Sequence, residues 1–284
     1  HVLETSQGVR LQGFYSPGPQ SVKKGLVLLL HGWEGSAQST YVRTTAGYLF
    51  DRGYDIFRLN LRDHGQSHHL NKGLFFGTLF DEVFEAVQQV AKLAANVPFF
   101  VAGFSLGGNY ALRIARELSR RSIPEICHVV AVSPVLDPGR ATDVVDRTLF
   151  YRYYFLKKWK KSLACKQQLY PDLYDFSGVL AHNTILGLTA DLLPRCSPFD
   201  RPADYFRTYT LTGEALENIA VATTIITSKD DPIIPVQDFY GLRLNDLTDL
   251  IVHAHGGHNG FIQNYRLNVW YEKAMAEIFA RHGN

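Results

Sequence analysis

The chain lacks the signatures of several large functional classes. It has no G-x-x-x-x-G-K-[ST] loop and no G-x-G-x-x-G turn, so neither common phosphate cradle is present. An excess of one charge is also missing. Lys and Arg number 29 against 27 Asp and Glu, and the resulting net charge of +2 makes no electrostatic case for nucleic acid. No apolar run approaches the length of a membrane span, and no secretory leader is visible. The chain starts at His1 and not at Met, so a leader or anchor ahead of it stays open. Cysteine is scarce: Cys127, Cys165 and Cys196 are odd in number and widely spaced. They suggest a reducing compartment and no disulfide framework, so the expected location is the cytoplasm. No internal repeat divides the sequence. The 284 residues, 46% of them hydrophobic, suffice for a large core and fit one α/β domain with an insertion as well as two domains.

The most informative stretch is Phe99 to Asn109. An apolar run, Phe99 to Ala102, reads as a buried strand. G-x-S-x-G follows, filled by Gly103, Ser105 and Gly107, and Tyr110 to Arg121 reads as a helix. Strand, sharp turn and helix in that order are the context of a nucleophile elbow. Ser105 would sit in a strained backbone conformation, with small residues two before and two after it letting strand and helix pass. Its hydroxyl would stand at a helix N-terminus, where backbone N–H groups and the helix dipole favour an oxyanion.

The rest of the chain supplies the rhythm for such an elbow. Residues 2–6 and 9–15 suggest an antiparallel hairpin around Gly8 at one edge of a sheet. Strands near residues 26–30, 54–60, 98–103 and 128–132 alternate with helical patterns at 38–52 and 78–95, which argues for a parallel sheet with helices on both faces. From about residue 138 to 218 the rhythm breaks into aromatic and helical segments punctuated by Pro171, Pro194, Pro198 and Pro202. The basic run Lys157-Lys158-Trp159-Lys160-Lys161 reads as a solvated helix face, with attraction to an anionic membrane surface or acidic substrate as the alternative. A strand at 222–227, a last strand at 249–253 and a C-terminal helix at 262–281 complete the pattern.

A serine hydroxyl is a weak nucleophile near neutral pH and needs an imidazole within reach, itself held by a carboxylate. His258, in the Gly-rich loop His255 to Phe261, is free to reach back over the sheet edge. Asp231 follows the 222–227 strand and fits a D-x-x-x-P spacing with Pro235; Asp230 and, more distantly, Asp137 are alternatives. Asp63 and His64 could be read as an acid–base pair, and His253, His255 and His258 as metal ligands, but Ser105 and Asp231 already account for His258. No metal or organic cofactor is required.

Four stretches, His31 to Ser36, Gly103 to Asn109, Ser228 to Pro232 and His255 to Phe261, together resemble the YheT-like branch of the α/β-hydrolase superfamily, which includes the animal ABHD esterases and lipases. The resemblance implies the α/β-hydrolase fold: a mostly parallel sheet of about eight strands, helices on both faces, and a helical cap insertion. It implies a core of residues 1–137 and 219–284 with a cap at 138–218. It also implies Ser105, Asp231 and His258 as a triad, in the order that fold uses, and the backbone N–H groups of Trp33 and Leu106 as an oxyanion hole. His31 would brace the loop, and Arg62 to Ser67 resembles a D-x-R-G-x-G-x-S turn that shapes its surroundings. Trp33 departs from the smaller apolar residue common in this branch, and its indole is expected to narrow the acyl pocket.

The implied activity is a serine carboxylic-ester hydrolase favouring short to medium acyl chains. Acyl transfer to another acceptor, or thioester cleavage, would use the same triad, and a binding protein on this fold would generally have lost one of its members. The expected partner is a small ester or lipid. Stable membrane insertion is not expected, surface contact stays open, and the oligomeric state is not readable.

Overall fold

The computed structural model describes residues 1–18 and 23–282. Two short strands, β1 (Val2–Glu4) and β2 (Arg10–Ser16), form the antiparallel hairpin expected at the N-terminus. Gly8 takes a φ of 73° in the turn between them, a conformation that favours glycine. Six further strands pair in parallel: β3 (Gly25–Leu30), β4 (Tyr54–Leu59), β5 (Phe99–Phe104), β6 (Ile126–Val132), β7 (Thr223–Ser228) and β8 (Thr248–His253). The 8-stranded sheet runs β1-β2-β4-β3-β5-β6-β7-β8, with β2 antiparallel to β4.

All residues of β3, β5 and β7 are buried, as strands covered on both faces require. Their side chains alternate between two separate cores. Leu26, Leu28 and Leu30 pack with Val101 and Val129 against α2 (Phe80–Ala91) and α3 (Leu106–Glu117). Val27 and Leu29 pack with Phe100, Ala102 and Phe104 against α1 (Thr40–Phe50) and α9 (Trp270–Ala280). The sheet is thus sandwiched by helices, as expected.

Between β6 and β7 lie the helices α4 (Pro138–Arg147), α5 (Leu149–Leu169), α6 (Ile185–Cys196) and α7 (Pro202–Arg207), and no strand among the described residues. Apolar side chains from this segment, Val145, Leu156, Leu163 and Leu188 among them, join the core on the α2–α3 face. A short helix α8 (Gln237–Tyr240) separates β7 from β8.

Two boundaries differ from the sequence reading. The helix after the elbow begins at Leu106, not Tyr110, because the turn must feed directly into it even though Gly107 and Gly108 are poor helix formers. The C-terminal helix begins only at Trp270; Ile262 to Val269 forms an isolated antiparallel bridge instead. The three cysteines are free thiols, and no described helix is long and apolar enough to cross a membrane.

The strand order creates a crevice. Adjacent strands β3 and β5 run parallel, but the helices that follow them, α1 and α3, pack on opposite faces. Their carboxyl ends, at Leu30 and Phe104, therefore open a gap between diverging chains, the usual place for a ligand in an open α/β sheet.

Candidate active site

Ser105 sits in that gap with φ 54° and ψ −115°, between the last residue of β5 and the first of α3. The strain is held by its surroundings. Its N–H donates to the Val132 carbonyl at 2.9 Å, and its carbonyl accepts from Asn109 at 3.0 Å and Val135 at 3.2 Å. A Cβ on Gly103 would meet the Gly107 carbonyl oxygen at 2.0 Å, and one on Gly107 would meet that of Leu30 at 2.2 Å. Any larger residue at either position forces strand and helix apart.

The loop after β3 packs against the elbow, with a Cβ on Gly32 lying 3.1 Å from the Ser105 Cβ. Two uncharged histidines hold this loop. Leu61 N–H donates to His31 Nε2 at 3.1 Å, so Nδ1 carries the proton and donates to the Gly32 carbonyl at 2.7 Å. Likewise Glu34 N–H donates to His64 Nε2 at 3.1 Å, and His64 Nδ1 donates to the Arg62 carbonyl at 2.7 Å. Burial drives His31 down to about 4 and His64 well below its usual range, so both remain neutral at physiological pH. Asn60 Oδ1 accepts from Ala37 N–H at 2.7 Å and completes the support. His31 and the Arg62 to Ser67 turn thus have bracing contacts. The amides of Trp33 and Leu106 find no acceptor among the described residues, and Leu106 opens α3, where intrahelical partners do not exist.

The loops after β7 and β8 meet on the far side of Ser105. Asp231 Oδ1 accepts from the backbone N–H groups of Ile233 at 2.8 Å and Ile234 at 2.9 Å. Its Oδ2 accepts from His258 Nδ1 at 2.9 Å, with the Asp231 side chain fully buried and that of His258 14% exposed. A carboxylate on Nδ1 fixes the neutral tautomer with Nε2 free to take a proton. Asp230 performs a different task. Its Oδ1 accepts from Gly256 N–H at 2.8 Å and Gly257 N–H at 2.9 Å, clamping the loop that carries His258. Those backbone bonds, that of Gly257 foremost, lower its carboxyl to about 2. Asp137 is elsewhere, capping α4 through Arg140 N–H at 3.0 Å.

The other sequence alternatives separate in space. Asp63 does not pair with His64; it accepts from Lys166 Nζ of α5 at 2.7 Å and from Phe75 N–H at 3.0 Å. His253, His255 and His258 diverge. His253 packs on Trp270 with ring centroids 4.0 Å apart, His255 Nδ1 lies 3.5 Å from Asp230, and His258 faces Asp231.

Ser105 lines two cavities. One runs under the inserted helices, with Phe75, Ala141, Val145, Trp159 and Leu192 among its mostly apolar walls. The other is more polar and contains His258, with Gln38, Ser39, Tyr41 and Lys158 on its walls. Trp33 and Phe155 border both, their rings stacked 5.4 Å apart at 12°.

The basic run of α5 is not uniformly solvated. Lys157 and Lys161 are exposed, but Lys158 turns inward and donates to the Glu34 carbonyl at 3.1 Å. Lys166, further along, is buried. Sequence reasoning missed both inward lysines, since their partners lie more than a hundred residues away in the chain.

An alpha/beta hydrolase family model matches residues 27–267, and the chain belongs to that family. A Synechocystis protein named as an esterase by inference is 28% identical over 288 residues, covering 93% of this chain and 77% of the relative. Among solved structures, an esterase of Pyrococcus furiosus superposes with a TM-score of 0.64 at 18% identity, covering all of this chain and 90% of the other. A soluble variant of the Saccharomyces cerevisiae monoglyceride lipase, solved with a substrate analogue, also gives 0.64, at 16% identity over 99% and 94% of the two chains. At such identities the structural likeness speaks for the fold, which is the α/β-hydrolase fold that the sequence motifs imply.

Proposed function

We propose that the protein is a serine carboxylic-ester hydrolase of the YheT-like branch, with Ser105 as nucleophile, His258 as base and Asp231 as its orienting partner. The observation that carries this is the His258–Asp231 contact at 2.9 Å, in a cavity that Ser105 also lines at the tip of a strained elbow. Similarity to a relative with an esterase name supports the substrate class.

In this reading, His258 Nε2 takes the proton as Ser105 Oγ bonds to the ester carbonyl carbon. The oxygen becomes an oxyanion held by the N–H groups of Trp33 and Leu106, each contributing about 3–4 kcal/mol to the transition state. Collapse breaks the bond to the alcohol oxygen, which leaves with the proton from His258. Water, deprotonated by the same imidazole, then attacks the acyl-enzyme. The carboxylic acid departs, Ser105 regains its proton, and no cofactor enters the balance. Residues 138–218 act as a cap whose apolar cavity takes a short to medium acyl chain. The free thiols are compatible with a cytoplasmic setting.

The test is fluorophosphonate labelling together with hydrolysis of p-nitrophenyl esters from acetyl to long chains, beside Ser105→Ala. Labelling should vanish and kcat should fall by about 10⁴ or more in the variant. A wild type that folds but neither labels nor turns over would sink the proposal.

A further inference from the structure

The two cavities at Ser105 divide the two halves of an ester, if the proposed triad is the catalytic one. The group that protonates the leaving oxygen must stand on the leaving group's side. His258 borders the polar cleft and not the apolar cavity. The acyl chain therefore goes under the inserted helices, and the alcohol half goes into the polar cleft.

That cleft is not electrically neutral. It is more polar than the other cavity but has aromatic walls as well, Trp33, Tyr154 and Phe155 among them, and its polar residues Gln38, Ser39 and Tyr41 are uncharged. Among the described residues that line it, His258 apart, Lys158 is the one with a formally charged side chain. Its ammonium is anchored from two sides without being neutralised. It donates to the Glu34 backbone carbonyl at 3.1 Å and lies 4.6 Å from the centre of the Tyr154 ring. Neither contact carries a formal negative charge, and both fix the ammonium at the wall of the cleft. The neighbouring Glu34 carboxyl forms no ion pair with it, and burial pushes that carboxyl up to about 8 against the pull of the Lys158 ammonium. Asp63, whose charge acts on Glu34, is paired with Lys166 at 2.7 Å. Asp231 is turned to His258.

We propose that the polar cleft selects esters whose alcohol half carries an anionic group, a phosphate or a carboxylate, and that Lys158 is the residue that reads it. The fixed ammonium meets the anion in a partly desolvated wall, where a charge-assisted hydrogen bond is stronger than a neutral one. A neutral alcohol leaves the ammonium facing water, and a cationic one meets like charge.

The experiment compares kcat/KM for hexanoyl esters that share one acyl group and differ in the alcohol: glycerol, glycerol phosphate, glycolate and choline. Wild type should favour the phosphate or carboxylate ester over the glycerol ester by about tenfold or more, the scale of one charged hydrogen bond. Whether phosphate or carboxylate leads tells which anion the cleft fits. Lys158→Met should bring the ratio of anionic to neutral ester to within about twofold, Lys158→Arg should keep most of it, and Lys158→Glu should turn the preference towards choline. Because the readout is a ratio, a general loss of activity does not imitate the effect, and fluorophosphonate labelling of each variant reports an assembled Ser105. A wild type that cleaves the glycerol and anionic esters equally, or a ratio that survives in Lys158→Met, overturns the role of Lys158 while leaving the triad untouched. Failure of every ester together with failure of labelling overturns the hydrolase reading itself.

Discussion

The sheet and the inserted helices solve different problems with different chemistry. At the carboxyl ends of the strands, side chains are locked by backbone groups: His31 by Leu61 and Gly32, His64 by Glu34 and Arg62, Asp230 by Gly256 and Gly257, Asp231 by Ile233 and Ile234. Such partners cannot rotate away, so this region has one geometry. The insert instead meets the core through long side chains, among them Phe155 on Trp33, Lys158 on the Glu34 carbonyl and Lys166 on Asp63. Its outer surface mixes exposed charges such as Lys157 and Lys161 with exposed apolar side chains, Leu149 at 72% and Phe150 at 71%. Rigid backbone clamps suit bond-breaking, where small misplacements are expensive. Side-chain contacts suit the substrate-selecting role proposed for the insert.

The contrast can be broken most sharply at the two adjacent aspartates. Asp231→Asn should lower kcat by about 10⁴, because the amide stabilises the wrong imidazole tautomer. Asp230→Asn keeps an acceptor for the loop amides and should lose no more than about tenfold. Equal losses from both, in a p-nitrophenyl ester assay, would mean that the division of labour is wrong.

The tie between the regions comes next. Lys166→Met leaves Asp63 buried without its cation, and breaking such a pair should lower unfolding stability by about 3 kcal/mol or more. Lys166→Met with Asp63→Asn, which tolerates the left-handed φ of 58° and keeps an acceptor for Phe75 N–H, should recover part of that loss. Urea unfolding of the two variants measures it, and a negligible single-variant effect would show that the insert is held by apolar packing alone.

Acid should loosen the core clamps. His31, His68 and His128 are each lowered to about 4, chiefly by burial, while an unfolded imidazole titrates near 6.5. Between these values the unfolded chain binds more protons, so stability falls as pH drops from about 6.5 to 4. Melting temperature followed across that window should fall by several degrees, and less steeply in His31→Gln. A flat profile would contradict buried neutral imidazoles.

The smallest effect is expected at the seam. Trp33→Leu opens the wall shared by both cavities and should change the ratio of octanoyl to butanoyl ester kcat/KM by about threefold or more. An unchanged chain-length profile would remove Trp33 from acyl selection.

Much of the fold could be read directly. Unbroken apolar runs such as Leu26 to Leu30 have only one stable use, a strand covered on both faces. The elbow was visible too, because the clearance that dictates Gly103 is local, against the Gly107 carbonyl, although Gly107 itself clears Leu30 of the neighbouring strand. The start of α3 was not, since local propensity at Gly107-Gly108 argues against helix and only the turn geometry overrides it. The candidate site divides in the same way. Ser105, Asp231 and His258 follow strands or sit in Gly-rich loops at recognisable spacings, but Asp230 and Asp231 are chemically identical neighbours. What separates them is that one faces the Gly256 and Gly257 amides and the other faces His258.

By itself, the order of residues determined the alternation of strand and helix, the family, and which loops carry Ser105, Asp231 and His258, the residues of the proposed triad, because periodicity and turn chemistry act over short stretches of chain. Tertiary structure alone decided what Asp230 does beside Asp231, which tautomers His31 and His64 adopt, and which two lysines of a basic helix turn inward. Each of these depends on a partner brought close from far along the chain, and on the loss of water that makes the pairing matter.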